Sequence, residues 1–334
     1  MIWVATPNHL HAQHTIAAAR AGKHIICTKP MALNVQECVD MCDAADAAGV
    51  KLLCGQTYSM SPDVQALWKV AASGELGRVI AINTWFATDW LLKPRVAEEL
   101  DETKGGGVIF RHAPHLIDTV RLLGGGKVRS VRASVGRWMK ERPCPGNFSA
   151  YLEFEDGTPA TIAYNGYGYF DTSELTWGIG NRMYSDEERL KVRRELRAGS
   201  VDNDAAKEGM RFGAATSDAS STGSGATPLV KGSRAHIHWF GLTVASFEHG
   251  DIRQSPDGIY VYTDEGRKEL PVYGGRGTGT LEIKEMYEAL HEGKPLMHDG
   301  RWAAATLEVG EAIAASGRER REIMLSHQVA LNKA

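Results

Sequence analysis

The first 77 residues alternate two textures. Apolar runs of four to six residues predict strands over 2–5, 23–27 and 50–55, and stretches with helical spacing predict helices over 9–22, 34–49 and 62–74. Strands separated by helices form parallel sheets through crossover connections, so residues 1–77 are expected to be part of a doubly wound α/β domain. From Val79 the spacing changes. Residues 79–85, 128–138, 149–154 and 158–167 alternate apolar and polar positions with no intervening helix, the pattern of an antiparallel sheet covered on one face. This predicts an α+β domain over 78–300 with a large, mainly antiparallel sheet. Residues 185–231 are polar and small, with Gly213 to Gly225 at their centre, and are expected to form a flexible insertion. Strands are expected again near 236–240 and 259–263. Helical spacing returns over 280–292 and 301–316, within a C-terminal helical segment, 301–334, packing back on the domains.

Composition narrows the function classes. The 334 residues are 43% hydrophobic with a net charge of −3, and no long charge run marks a nucleic-acid surface or a basic membrane anchor. No apolar stretch approaches the roughly 20 residues of a membrane span, and Met1-Ile2-Trp3-Val4 does not open a signal peptide, so a cytoplasmic protein is the expectation. The five cysteines form an odd set within predicted elements and are read as reduced and structural. Cys38 and Cys42 are four apart on a helix without a second ligand pair, and His9, His11 and His14 lack a further ligand at useful spacing. No metal is expected.

The chemistry concentrates at Lys29-Pro30. A lysine fixed by the following proline at the carboxyl end of a strand points into the crevice where open α/β sheets bind ligands. The run Ala5-Thr6-Pro7-Asn8-His9-Leu10-His11, the helix Ala17 to Gly22, the strand Lys23 to Cys27 and then Lys29-Pro30-Met31-Ala32 resemble the core of the glucose-fructose oxidoreductase, inositol dehydrogenase and MocA family of NAD(P)-dependent oxidoreductases. The resemblance implies that Lys29 is the catalytic lysine beside the nicotinamide, although Thr28 stands where the family has glutamate. It also implies cofactor contacts from Thr6, Pro7, Asn8, His11, Thr28, Lys29 and Gln56. NAD is the implied cofactor, with NADP as the alternative.

A Rossmann-type domain normally opens with a strand and a Gly-x-Gly-x-x-Gly turn that holds the pyrophosphate. Neither lies near the start of the chain. Met1 to Ala5 is therefore expected to be the fourth strand of that fold, with roughly 60 residues of it upstream, making the chain a fragment or one with a misassigned start.

A second anchor is Gly105-Gly106-Gly107-Val108-Ile109-Phe110-Arg111-His112-Ala113-Pro114-His115-Leu116-Ile117-Asp118, expected to open a helix running to Leu123. In the family's sugar dehydrogenases the positions of Arg111 and His115 are aspartate and histidine. An arginine cannot act as a base, but its planar fork pairs with carboxylates, so the pocket trades an acid for an anion clamp. The bland alternative is a salt bridge to an acidic neighbour. Lys93, Arg95 and Arg234 are further candidate cations, although each taken singly is better read as a solvated surface charge, and Tyr167 is a candidate substrate contact. Together with Gln254 to Gly258, these segments look most like the family branch acting on phthalate 4,5-cis-dihydrodiol. The resemblance then implies hydride transfer from a hydroxyl-bearing ring carbon of an anionic small molecule. His115 would be the base, and Lys29 would orient, polarise or relay the proton of the reacting oxygen. A sugar, inositol or sugar-acid dehydrogenase and a catalytically inactive binding homologue are the alternatives. The family implies a homodimer or homotetramer.

Overall fold

The computed structural model describes residues 1–55, 58–180, 183–201, 203–211, 240–273 and 280–332. β1 (Ile2–Val4), β2 (Ile25–Thr28) and β3 (Leu52–Gly55) form a parallel sheet in the order β1-β2-β3. All eight residues of β2 and β3 are buried, as expected of strands covered on both faces. The crossovers are α1 (His11–Arg20) and α2 (Val35–Ala47); Asn34 caps α2 by accepting from Glu37 N, while Glu37 accepts from Leu33 N. α3 (Pro62–Ser73) starts with proline in its first turn and ends at left-handed Gly74.

The second sheet has nine strands in the order β11-β10-β9-β8-β4-β7-β6-β5-β12. They are β4 (Val79–Ala87), β5 (Val128–Gly136), β6 (Asn147–Phe154), β7 (Pro159–Asn165), β8 (Leu242–Phe247), β9 (Gly250–Ser255), β10 (Gly258–Thr263), β11 (Gly266–Pro271) and β12 (Ile323–Met324). The β4–β7 pair is parallel and the other pairs are antiparallel. Ile82, Thr84 and Phe86 on β4 face the core with Phe148, Ala150 and Leu152 on β6, whereas Trp85 and Tyr151 between them are exposed. Period-2 alternation thus covers one face of the sheet and leaves the other open.

Three expectations are corrected. The predicted helix through Leu123 is two helices, α5 (Gly107–Arg111) and α6 (Ala113–Leu123), after the short α4 (Ala97–Leu100). The break falls at His112, whose φ of −121° is not helical, two residues before Pro114, which lies in the first turn of α6 where its missing N–H is tolerated. The segment read as a flexible insertion contains α7 (Asp186–Arg197) and α8 (Asn203–Arg211). A reciprocal Ser185–Glu188 cap starts α7, Arg193 donates to Tyr167 O at 2.6 Å, and Asn203 Oδ1 accepts from Arg142 Nη2 at 2.8 Å. Few apolar residues hold these helices, so hydrophobic patterning missed them. Residues 212–231, and most of the strand expected at 236–240, lie outside the described residues. Finally, the C-terminal segment is not helical throughout. α9 (Thr280–His291) packs Met286 and Ala289 on Ile26 and Leu53 of the parallel sheet, and α10 (Gly300–Glu319) is followed by β12, which pairs with β5. Among the described residues no helix is long and apolar enough to cross a membrane.

Candidate functional site

The loops after β1 and β2 meet the Gly105–Asp118 segment. Lys29 follows β2 directly, its backbone N–H donates to Gly55 O at 3.2 Å, and its peptide to Pro30 is cis. Its Nζ donates to the carbonyl oxygen of Arg111 at 2.9 Å. His11 is fully buried behind this turn, with Nδ1 2.9 Å from Pro30 O and Nε2 2.7 Å from Thr6 O. It braces the two loops, so both its nitrogens are committed to backbone and neither is directed at a ligand. Thr6 Oγ1 stands 3.1 Å from His14 Nδ1, and Pro7 O accepts from Leu10 N, which starts the short helix at Asn8. Asn8 Nδ2 is buried with no hydrogen-bond partner among the described residues. It lies beside Gly105, where a Cβ would come within 3.0 Å of that nitrogen and 2.8 Å of Leu33 Cδ2. Thr28 is buried, and Gln56 lies outside the described residues.

His115 sits in the first turn of α6, buried edge-on against Tyr58 at 4.9 Å and against Phe240 at 4.6 Å between ring centroids. His112, at the break, lies among Phe86, Trp90, Tyr164 and Phe240, with Nδ1 2.8 Å from the Tyr164 hydroxyl. Burial, reinforced by Lys29, Arg95, Lys93 and Arg111, holds its pKa well below the ordinary histidine value. The ring is therefore neutral near pH 7.

The predicted cations gather around two carboxylates. Lys93 Nζ is 3.5 Å from Asp89, whose other oxygen accepts from the backbone of Met183 and Tyr184. Arg95 stacks on Trp90 at 4.2 Å, donates to Trp90 O and reaches Glu99 at 3.4 Å. Glu99 is also 3.0 Å from Lys207 of α8 and 4.0 Å from Arg111. Burial opposes the charge on Glu99, but Arg95, Lys207 and Arg111 outweigh it and keep the carboxyl below its usual range. One carboxylate thus answers three cations. The 4.0 Å approach to Glu99 is the salt bridge that sequence reasoning weighed against an anion clamp, yet it leaves Arg111 Nε, a buried donor, without a partner among the described residues.

Tyr167 is a correction. Its hydroxyl accepts from Trp138 N at 2.8 Å and donates to Gly136 O at 3.2 Å, so it ties β7 to the end of β5. Tyr164, three residues earlier on the covered face of β7, is the tyrosine beside His112. Arg234 lies outside the described residues. Sequence reasoning also missed Glu99 and Lys207; the Arg95–Glu99 spacing of four was the one available signal. No group of three or more His, Cys, Asp or Glu that could hold a metal occurs among the described residues.

A family model described as an oxidoreductase family with an NAD-binding Rossmann fold matches residues 1–56, and one described as the GFO/IDH/MocA C-terminal domain matches residues 64–177. The chain is 32% identical over 323 residues to the 1-carboxy-3-chloro-3,4-dihydroxycyclohexa-1,5-diene dehydrogenase of Comamonas testosteroni, covering 95% of this chain and 79% of that protein. It is 36% identical over 143 residues to a levoglucosan dehydrogenase of Pseudarthrobacter phenanthrenivorans, 42% of this chain and 36% of that protein. A solved structure assigned as a dehydrogenase of Bordetella bronchiseptica RB50 superposes with a TM-score of 0.83 at 34% identity, covering 96% of this chain and 81% of that one.

Proposed function

Because the chain belongs to the GFO/IDH/MocA family of NAD-binding oxidoreductases, we propose that it oxidises a carboxylated cyclohexadiene cis-diol, with 4,5-dihydro-4,5-dihydroxyphthalate the leading candidate, to the dihydroxy aromatic acid. The observation that carries this reading is the gathering of Arg95, Arg111 and Lys207 around Glu99, their one shared carboxylate among the described residues. A partly buried excess of positive charge is costly unless an anion offsets it, and a substrate carboxylate is such an anion. Phe86, Trp90, Tyr164 and Phe240 offer ring faces to a planar six-membered substrate. The relative from Comamonas testosteroni bears in its name a carboxylated, dihydroxylated cyclohexadiene.

The chain fits the nicotinamide side of NAD. Thr6, Pro7 and Asn8 follow one parallel strand, Thr28 ends the next and Lys29 follows it, the edge at which open sheets bind dinucleotides, and Asn8 Nδ2 is a buried donor there with no partner among the described residues. When bound, NAD supplies the hydride acceptor. The protein's own work is on the proton and the carboxylates. His115 takes the hydroxyl proton as the ring carbon gives up its hydride, and Lys29, tethered to Arg111 O, orients and polarises that oxygen. The resulting hydroxy-ketone tautomerises to the aromatic diol, which makes the oxidation strongly favourable. Arg111 holds a substrate carboxylate, with Lys93 and Arg95 backing it. A homodimer or homotetramer is part of the proposal, supported by the exposed Trp85 and Tyr151 on the open face of the large sheet. Turnover tests the reading: NADH should form with carboxylated cis-diols and not with neutral sugars or inositol.

A further inference from the structure

Thr28, immediately before Lys29, carries no charge, so the partner of the Lys29 amine has to come from elsewhere in the fold. Beside Lys29 lies a cavity of about 30 Å³ walled by Lys29, Cys54, Pro114, Asp118, His298 and Trp302, among others. That is room for about one water, far below the few hundred Å³ of a ligand pocket, so the cavity bordered by both Lys29 and Asp118 does not admit substrate. Asp118 is 1% exposed. One of its oxygens accepts from Trp302 Nε1 and the other from the Ser59 hydroxyl. Ser59 Oγ is 2.9 Å from His298 Nε2, and His298 Nδ1 is 2.7 Å from Glu285, which borders a groove of about 210 Å³ on the surface.

We infer that Asp118 is a positioning residue for Lys29, its carboxylate facing the amine across this cavity, and that the row Ser59, His298, Glu285 holds that carboxylate in its orientation. The inference rests on the reading of Lys29 as the catalytic amine. Burial opposes charge on His298, but Glu285 and Asp118 outweigh it and raise its pKa above the ordinary histidine value. A cation between two carboxylates offsets part of the cost of burying them. Besides Asp118 and His298, Lys29 is faced by Cys54 of β3 and by Arg111 and His112 of the α5–α6 turn. His298 is faced by Glu282 and Glu285 of α9 and by Asp118 of α6, and the groove adds Lys284, Glu288 and Lys294.

The test measures the titration of the Lys29 amine directly, through its rate of acetylation by acetic anhydride across pH, followed by mass spectrometry on the full chain without substrate. Asp118→Asn should lower the midpoint by about one pH unit, because a nearby carboxylate favours the ammonium form. Asp118→Glu should restore it, which a purely structural role for Asp118 would not do. Glu285→Gln, at the groove and away from the packed core, should lower the midpoint by about half as much, and it decides the matter if Asp118→Asn does not fold. An unchanged midpoint in Asp118→Asn, or in Glu285→Gln should the first variant not fold, overturns the inference. Full NADH-forming activity in Lys29→Met would instead overturn the catalytic reading of Lys29, whatever the labelling reports.

Discussion

Lys29 Nζ lies 2.9 Å from the carbonyl oxygen of Arg111, and this hydrogen bond joins the carboxyl end of β2 to the turn between α5 and α6. It fixes the amine beside the backbone that also carries His112 and His115. Removing the amine should therefore affect the chemical step and leave the fold in place. Lys29→Met is expected to lower kcat by about 10²- to 10⁴-fold, the usual worth of a positioned acid–base group, with KM and melting temperature nearly unchanged. Steady-state kinetics beside a thermal melt check this.

Despite its approach to Glu99, Arg111 retains a buried Nε with no partner among the described residues. Replacing it by glutamine should remove a charge-assisted contact worth about 1.5–3 kcal/mol, raising KM for a dicarboxylate diol by about 10- to 100-fold. A neutral cis-diol should show no such change. Equal loss on both substrates would remove the anion-clamp role.

Glu99 gives a pH dependence of known sign. Its folded pKa lies below the unfolded one, because Arg95, Lys207 and Arg111 outweigh its burial. Its contribution to stability is thus fully present above the unfolded pKa and is lost as pH falls through the folded one. Glu99→Gln should cost about 1–3 kcal/mol at pH 7, and the gap from the parent protein should close on acidification. Melting curves from pH 7 to pH 3 would record it.

Gly105 has a φ of +75° and stands against Leu33 and Asn8. Gly125, at a φ of +79°, has nothing within 4 Å of an added Cβ. Gly125→Ala should show only the backbone cost of about 1 kcal/mol. Gly105→Ala should add displacement of Asn8, and with it about a tenfold weaker NAD affinity by fluorescence titration.

The two sheets were legible because their patterns are physically opposite. Continuous apolar runs such as Ile25–Cys27 mark strands buried on both faces, and the alternation from Ile82 to Phe86 marks a strand buried on one. Lys29, Arg111 and His115 are proposed from motif and resemblance, and the structure brings Lys29 and Arg111 together through a backbone carbonyl that no side-chain motif encodes. Lys207 escaped because α8 is held by the polar contacts of Asn203, invisible to hydrophobic periodicity. Tyr167 misled because tyrosine type alone does not tell a hydroxyl committed to Trp138 N and Gly136 O from one, as in Tyr164, beside a buried histidine. Asp118 and His298 lie 180 residues apart in the chain, and their link through Ser59 exists only in the fold.

Oxidation of a carboxylated cyclic cis-diol is read from NADH formation on mixing the full chain with NAD and 4,5-dihydro-4,5-dihydroxyphthalate, with the unsubstituted cis-dihydrodiol and inositol in parallel. Turnover of the dicarboxylate should show a kcat/KM at least tenfold above that of either neutral compound. Equal or faster turnover of the neutral compounds, or NAD binding without turnover of any of the three, would contradict it.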